Sequence, residues 1–360
     1  NAWIGETFPG EVLELFDLVP VHIEGLVMFL TFEGLGKEIF EAGQKYTLSR
    51  DLCIFQTGCI QAIYEGNFPD PQVFLRTNVL CDGREKVLQL ASHVYQKPYL
   101  YIDMPNHYTP GTVDYVARQW EGLFRELSEM FGVQPTDSRI EEVFALSNRI
   151  RENLIEINQL RKKGSPYPVQ SIGMVEPIFA NGYLRADGEL VRLSEKIVAE
   201  MRAHAASASP SSDKIRLLWT IPFLFPAEEF YHWLLEEKKV EIVMEEAAHI
   251  YWEPLDPQDP FRSLARKVLG LHWQGPVQRR AQVMLQDARE YQADGVLHFS
   301  HWGCRHLIAP SKILQDYFSK EEIPFLDLDV DLGDGSNINW PNLKGQIEAF
   351  LEILRRKKGA

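Results

Sequence analysis

The chain has 360 residues, is 45% hydrophobic and carries a formal net charge of −14 at pH 7. This composition is typical of an ordinary globular protein, and the length favours two domains. The negative charge argues against a general nucleic-acid binder, which needs a basic surface, but it allows a local Arg or Lys pocket for a small anion. No apolar run is long enough to span a bilayer, and no signal peptide is expected.

The first part of the chain alternates strand-like and helix-like segments. Short apolar runs that end in polar or turn residues predict three β-strands: 18–23, 73–82 and 99–105. Apolar residues at helical spacing predict four helices: 84–96, 112–132, 138–164 and 189–204. The small polar residues of 207–214 then predict a linker.

The second part of the chain resumes the alternation, with strands that are almost continuously apolar. Four strands are predicted: 215–222, 240–246, 295–300 and 324–331. Four helices are predicted: 226–237, 276–292, 310–320 and 342–356. Such an alternation favours an α/β fold with parallel sheets. We therefore expect two Rossmann-like parallel-sheet domains, residues 1–135 and 214–360, which are joined by a helical connector and linker at 136–213.

The four cysteines of the sequence lie near the ends of these predicted elements. Cys81 ends a predicted strand, Cys304 follows another, and Cys53 and Cys59 flank the segment IFQTG. Because parallel sheets bind ligands beyond the carboxyl ends of their strands, cysteines from both domains can face each other across a cleft. So few cysteines in so long a chain indicate reduced, cytoplasmic thiols rather than a disulfide framework.

Several kinds of site are compatible with this placement. Three thiolates can hold a [4Fe–4S] cluster at three irons and leave the fourth iron open to water or substrate. An isolated buried cysteine can instead be an ordinary core residue. Zinc is a further alternative, although His298, His301 and Cys304 have a spacing that is loose for a structural zinc site.

Five segments that follow one another along the chain point to a known family. They are FPGEVLELFDLVPV (8–21), LCIFQTGCIQAIYEGNFPDPQVFLRTNVLCDG (52–83), YLYIDMP (99–105), EYQADGVLHFSHWGCRH (290–306) and IPFLDLDVDLGDGSNINWPNLKGQIEAFLEIL (323–354). In this order they resemble the 2-hydroxyacyl-CoA dehydratase family, which includes the benzoyl-CoA reductase subunits and the double-cubane-cluster reductases. The Gly-Cys-Arg sequence at 303–305 looks more like the α-type, cluster-carrying subunits than their partner subunits.

The resemblance implies a set of cluster ligands. Cys53, Cys81 and Cys304 match the three positions that hold a [4Fe–4S] cluster in the family. Cys59 lies outside this pattern and is a core thiol, a fourth ligand or part of a larger cluster. A double-cubane [8Fe–9S] cluster is the alternative cofactor, but it would need ligands beyond the four cysteines of this chain.

The resemblance also implies a function and its partners. A separate ATP-hydrolysing iron–sulfur activator would supply a low-potential electron, and this chain would pass it to an acyl-CoA substrate, as in benzoyl-CoA reductases or 2-hydroxyacyl-CoA dehydratases. The sequence GLGKE (34–38) is not a Walker A loop, which fits ATP hydrolysis by another protein. A homologous subunit is expected, in a hetero- or homodimer. The alternatives are a double-cubane-type reductase of small molecules and a non-catalytic electron-transfer or structural subunit.

Four residues near the cysteines are candidates for assisting the reaction. Arg305 and Arg84 are placed to balance the negative charge of a cluster or to bind a CoA phosphate, although each can equally be a solvated arginine. His298 and His301 could donate protons, since imidazole titrates near neutral pH. Each of these histidines can also be a buried strand-end residue whose hydrogen bonds are satisfied within the protein.

Overall fold

The computed structural model describes residues 1–359 except 6, 47, 48, 50, 163–185, 208–212 and 221–227. In this part of the chain, eight strands form two sheets of four strands each, and every neighbouring pair is parallel. The first sheet consists of β1 Ala2–Ile4, β2 Pro20–Val21, β3 Val73–Thr77 and β4 Tyr99–Ile102. The second sheet consists of β5 Ile215–Trp219, β6 Val240–Glu245, β7 Gly295–His301 and β8 Phe325–Val330.

The two sheets have the same topology. Their strand orders are β2-β1-β3-β4 and β6-β5-β7-β8, so the strand order changes direction between β1 and β3 in one sheet and between β5 and β7 in the other. Ligands of open α/β sheets bind at such switch points. The predicted fold class, α/β with two Rossmann-like parallel sheets, is confirmed.

Helices pack around both sheets. In the described residues they are α1 Gly10–Leu15, α2 Ile23–Leu30, α3 Gly36–Gly43, α4 Ile54–Glu65, α5 Asp82–Tyr95, α6 Pro110–Phe131, α7 Asp137–Lys162, α8 Gly188–Ser207, α9 Glu228–His232, α10 Pro260–Leu269, α11 Val277–Glu290, α12 Arg305–Ile308, α13 Ser311–Lys320 and α14 Trp340–Lys358. Two π-helical turns extend α2 and α9, at Thr31–Leu35 and Trp233–Glu237. Short 3-10 turns lie at Gln44–Tyr46, Glu246–Ala248 and Gly335–Asn337. None of these helices has the length and apolar character that would be needed to cross a membrane.

Helix α6 illustrates how the sequence sets the bounds of an element. Thr109 is its N-cap and forms a capping box with Thr112, while Pro110 takes the first helical position. The helix ends at Gly132, which has a left-handed conformation with a φ of 68°. Trp120 and the other apolar residues on one side of the helix are buried, as expected for an amphipathic helix against a core.

The hydrophobic core extends across both sheets. Strands β3 and β7 are buried along their whole length, as expected for parallel strands that are covered on both faces. One cluster of buried residues includes Trp3 and Phe74 of the first sheet together with Leu217 and Phe299 of the second sheet. The two sheets are therefore held together by a shared apolar core.

The sequence pattern misses a few elements and leaves one expectation untested. Strand β1 has only three residues, which is too short for a recognisable alternation, and the helices α1, α4, α10 and α12 are not among the predicted helices. The predicted helix at 226–237 is observed as α9 and its π-helical turn, and the first two of its residues lie outside the described part. Most of the predicted linker at 207–214 also lies outside it. The division into 1–135, 136–213 and 214–360 stays a prediction.

Candidate functional site

Three of the four cysteines occupy the same local position, the N-cap of a helix. Cys53 precedes α4, Cys81 precedes α5 and Cys304 precedes α12. Cys81 follows β3 and Cys304 follows β7, so both lie at the switch point of their sheet. The partial positive charge at a helix N-terminus favours a negatively charged group such as a thiolate.

Backbone contacts bring the three helix starts together. A Cβ atom placed on Gly303 would lie 2.6 Å from both the N and the Cα atoms of Cys53, so the loop before α12 touches the start of α4. A Cβ atom on Gly83 would lie 3.2 Å from Cγ of Gln56 and 3.6 Å from Sγ of Cys81. The first turn of α5 therefore packs against the first turn of α4, and residues from both sheets meet at one place.

Burial dominates the electrostatics of the three thiols. It raises the pKa of Cys53 well above its usual value and the pKa of Cys304 to about 11. It also raises the pKa of Cys81, although the Arg84 guanidinium opposes this effect. The other two thiols add to the increase at Cys53, which means that the three sulfurs lie within electrostatic range of one another. The raised pKa values favour the protonated thiols in the absence of a metal. A metal ion deprotonates a thiol that coordinates it, so a bound metal would convert these thiols to thiolates.

Arg84 is engaged in a buried ion pair rather than open to solvent. Its Nε donates to the Glu24 carboxylate of α2, and both side chains are buried. Its backbone N–H donates to Sγ of Cys81 at 3.4 Å. Burial alone would raise the pKa of Glu24, but Arg84 outweighs it and leaves that pKa below its usual value. The sequence does not single out Glu24, because one glutamate in a helix is ordinary; a phosphate-binding role for Arg84 does not fit this position.

His298 connects β7 to α12. Its Nε2 lies 2.9 Å from the carbonyl oxygen of Leu307, and its Nδ1 lies 2.6 Å from Oγ1 of Thr220. Because a carbonyl oxygen only accepts, Nε2 carries the proton and Nδ1 accepts from the hydroxyl. Burial lowers the pKa of the ring, which keeps it neutral. Both nitrogens are occupied by contacts within the protein, and the proton-donor role of His298 stays a prediction.

His301 lies at the end of the same strand, but one of its two ring nitrogens lacks a hydrogen-bond partner among the described residues. Its Nδ1 is 3.3 Å from the Val330 carbonyl oxygen and 3.4 Å from the Leu332 backbone nitrogen. Its Nε2 is buried and has no hydrogen-bond partner among the described residues, which is uncommon for a buried polar atom. The ring centroid lies 6.4 Å from that of Phe55, two residues after Cys53. His301 therefore has a buried nitrogen without a hydrogen-bond partner in the described part of the chain, and the ring lies near the cysteines.

Arg305 and Asp82, each of which directly follows a cysteine, form an exposed ion pair. The Nη2 atom of Arg305 lies 2.6 Å from Oδ2 of Asp82, and both side chains are more than half exposed. Arg305 directly follows Cys304, and Asp82 directly follows Cys81. The pair thus connects the first residues of α12 and α5, and the Arg305 guanidinium is accessible from solvent.

Nearly the whole chain matches one protein family. The family model described as 2-hydroxyglutaryl-CoA dehydratase, D-component, matches residues 7–354. The chain belongs to this family. The predicted family resemblance is thereby confirmed.

Curated relatives of this dehydratase-family chain are similar over most of their length. One subunit of the benzoyl-CoA reductase of Thauera aromatica is 22% identical, over 86% of this chain and 78% of its own. The (R)-phenyllactyl-CoA dehydratase alpha subunit of Clostridium sporogenes is 19% identical, over 100% of this chain and 90% of its own. The (R)-2-hydroxyisocaproyl-CoA dehydratase alpha subunit of Clostridioides difficile is 18% identical, over 99% and 90%. The expectation of an enzyme subunit of this type is confirmed.

Cys59 differs from the three N-cap cysteines of this dehydratase-family chain. It lies inside α4, and it is buried in the same apolar cluster of the core that includes Cys53. It lies six positions after Cys53, which corresponds to about 9 Å along a helix axis and to a different helix face. The structure thus places Cys59 among core residues rather than at a helix start.

No group of three His, Cys, Asp or Glu side chains in the described residues is arranged to hold a single metal ion. In particular, the nitrogens of His298 are bonded to Thr220 and Leu307 rather than directed at a shared point with Cys304. The thiolate ligands of an iron–sulfur cluster bind separate irons, so they need not converge on one atom.

Proposed function

We propose that this chain is the cluster-carrying subunit of a radical-type acyl-CoA enzyme, either a 2-hydroxyacyl-CoA dehydratase or a benzoyl-CoA reductase. The observation that carries the proposal is the meeting of Cys53, Cys81 and Cys304 at three adjoining helix starts. Their thiolates would hold a [4Fe–4S] cluster and leave one iron without a cysteine ligand. When bound, such a cluster supplies low-potential one-electron reduction of a CoA thioester. The names of the relatives support this substrate class.

The donor set and its surroundings fit such a cluster. Thiolates are the usual ligands of iron–sulfur clusters, and the N-termini of the longer helices α4 and α5 favour the negative charge of Cys53 and Cys81. Cys53 is buried, whereas Cys81 and Cys304 are partly accessible. The protein would thus shield one side of the site from water and leave the other side open to a substrate.

The residues around the cysteines support distinct roles. Arg305 is exposed beside Cys304, so it can contact an anionic group of an arriving CoA thioester. His301 has a buried nitrogen without a partner among the described residues, so it is a better candidate than His298 for holding a proton near the reacting group. The ion pair between Arg84 and Glu24 lies under Cys81 and fixes the first turn of α5.

The complete enzyme would contain further proteins. The relatives are all named as single subunits of larger enzymes, two of them as alpha subunits, which supports a homologous partner subunit in a hetero- or homodimer. A separate ATP-dependent iron–sulfur activator would deliver the electron, as the family resemblance implies. A reducing, cytoplasmic compartment would keep the three thiols available to iron.

Two alternatives use the same residues. A double-cubane [8Fe–9S] reductase of small molecules would need ligands beyond the four cysteines of the chain. A non-catalytic electron-transfer or structural subunit would have either a cluster closed by a fourth ligand or no cluster. Cys59 lies inside α4 rather than at a helix start, which favours the site with three cysteines over the closed site.

Iron and acid-labile sulfide per chain, measured on anaerobically purified protein, test the proposal. We expect about four irons per chain, with an EPR signal after reduction. About eight irons would favour the double cubane, and the absence of iron would leave only a structural subunit. Acyl-CoA substrates would then be assayed together with the activator and the partner subunit.

Single cysteine variants test the ligand set. Cys53→Ala, Cys81→Ala and Cys304→Ala should each lower the iron content, whereas the matched control Cys59→Ala should retain it. Wild-type iron content in any of the first three variants would contradict the proposed ligands. Loss of iron in Cys59→Ala, with the fold intact by circular dichroism, would instead support a fourth ligand.

A further inference from the structure

Arg76 is a fully buried cation in the first sheet. It lies in β3, and its side chain is 0% exposed. Its Nη2 atom donates to the carbonyl oxygen of Cys81 at 2.9 Å and to that of Val79 at 3.4 Å. The guanidinium therefore lies directly beneath the loop that carries Cys81. An arginine within the apolar run VFLRT is also unusual from the sequence alone.

Arg76 lacks a carboxylate partner in the described part of the chain. Its Nε and Nη1 atoms are buried there without any hydrogen-bond partner. Burial lowers its pKa to about 10, so the group is still positively charged at neutral pH. An unpaired buried charge is costly for a folded protein, and the arrangement therefore indicates that an anion belongs nearby.

The contacts of Arg76 and Arg84 indicate where this anion would lie. The other buried arginine at this place, Arg84, is already paired with Glu24. The hydrogen bonds of Arg76 go to two carbonyl oxygens of the loop that carries Cys81, those of Val79 and Cys81. The negative charge that Arg76 can balance is therefore expected on the side of Cys81.

The absence of a side chain at Gly5 leaves space for the Arg76 guanidinium. Gly5 follows β1 at the switch point of the first sheet, and a Cβ atom on it would lie 2.3 Å from Nη1 of Arg76. A glycine permits this approach, whereas any larger residue would displace the guanidinium. Arg76 is thus held between the end of β1 and the carbonyl oxygen of Cys81.

We propose that Arg76 is a positioning residue that holds the Cys81 loop and balances the negative charge of the iron–sulfur cluster bound there, so that it raises the reduction potential of that cluster. This inference rests on the proposed function. A nearby positive charge stabilises the reduced form, which carries one more negative charge than the oxidised form. Removal of the charge should therefore make the midpoint potential more negative.

A redox titration of the anaerobically purified protein tests the inference. The cluster would be titrated with Ti(III) citrate in the presence of mediators and followed by EPR, with iron content measured in parallel. Arg76→Gln removes the charge, and Arg76→Lys retains it. Arg216→Gln is the matched control, because Arg216 is a strand arginine of the second sheet that already pairs with Glu241.

We expect a more negative midpoint potential in Arg76→Gln, a potential nearer to wild type in Arg76→Lys and an unchanged potential in Arg216→Gln. A wild-type potential in Arg76→Gln, or equal shifts in both Arg76 variants, would overturn the inference and leave the proposed function intact. Absence of iron from the wild-type protein would overturn both.

Gly5→Ala provides the second test if Arg76→Gln does not fold. The added methyl group would displace the guanidinium without removing its charge from the protein, since the space at Gly5 is too small for both. A smaller negative shift of the potential is expected. An unchanged potential in folded, iron-loaded Gly5→Ala would overturn the inference.

Discussion

Gly303 lies against the backbone of Cys53, although the two residues are far apart in the sequence. A Cβ atom on residue 303 would be 2.6 Å from the N and Cα atoms of Cys53, closer than a carbon atom can approach without displacing the chain. The contact joins the end of β7 to the start of α4. The absence of a side chain at residue 303 therefore determines how near Cys304 comes to Cys53.

Replacement of Gly303 by alanine is expected to move the loop of Cys304 away from Cys53 and to reduce the iron content. Gly345→Ala is the matched control, because nothing lies within 4 Å of its Cβ position in α14; alanine is favourable inside a helix. Iron and sulfide assays after anaerobic purification, with circular dichroism as a check of folding, measure the effect. Equal iron content in Gly303→Ala and wild type would contradict the expectation.

His298 should contribute to stability through its two hydrogen bonds. His298→Ala would leave the Thr220 hydroxyl and the Leu307 carbonyl oxygen without their partner, at an expected cost of about 1–3 kcal/mol. Urea unfolding measures the change in the free energy of unfolding. The exposed His93 of α5 provides the control, since His93→Ala should change this free energy by less than about 0.5 kcal/mol. Similar effects in both variants would argue against the structural role of His298.

The stability of the protein should decrease as the pH falls below 6.5. His22 is the N-cap of α2, and its Nδ1 accepts the backbone N–H of Gly25 at 3.1 Å. Burial, followed by the charge of Arg84, lowers its pKa from 6.5 to about 4. The unfolded chain then binds the proton first, so this contribution is complete above pH 6.5 and is lost as the pH falls towards 4.

A variant can isolate the contribution of His22 to this pH dependence. His22→Asn keeps an N-cap acceptor but does not titrate, so its stability should decline less steeply than that of wild type over the same pH range. Urea midpoints across the range provide the comparison. Parallel curves for the two proteins would show that His22 is not responsible.

A buried ion pair between α1 and α10 should be essential for stability. The Nζ atom of Lys267 lies 2.6 Å from Oε1 of Glu11, and both side chains are almost fully buried. Lys267→Met would leave the buried Glu11 carboxylate without its cation, although the Ser147 hydroxyl still donates to it, and should cost about 3–5 kcal/mol. The double variant with Glu11→Leu should recover much of this loss. The exposed pair of Lys37 and Glu41 is the control, and Lys37→Met should cost less than about 1 kcal/mol. A similar loss in both single variants would contradict this expectation.

Much of the fold follows from local sequence patterns. The apolar run at 295–300 predicts the buried strand β7, and the apolar spacing at 112–132 predicts α6, because these signals depend only on neighbouring residues. Strand β1 has three residues and gives no such signal. The pairing of Arg84 with Glu24 depends on a contact between distant helices, which no local pattern contains.

The candidate site was predictable in part. Cys81 and Cys304 were recognisable as residues at strand ends, and the sequence predicts a helix after Cys81 at 84–96. The helices α4 and α12, which follow Cys53 and Cys304, are not predicted. His298 and His301 are an odd number of positions apart in β7, so they point to opposite faces of the sheet. From this alternation alone, the sequence could have predicted different surroundings for the two histidines: His298 contacts Thr220, whereas His301 lies near Phe55. The close approach of Gly303 to Cys53 could not be read from spacing, because it depends on how the two sheets pack.

Cys81 follows a strand of the first sheet, Cys304 follows a strand of the second sheet, and most of the chain lies between them. A group bound to both would act as a cross-link, because it would restrict the unfolded chain across a very long loop, as a disulfide does. If oxygen destroys the proposed cluster, the protein would lose this restraint together with its electron carrier. Exposure to air should then increase cleavage by proteases as well as abolish activity.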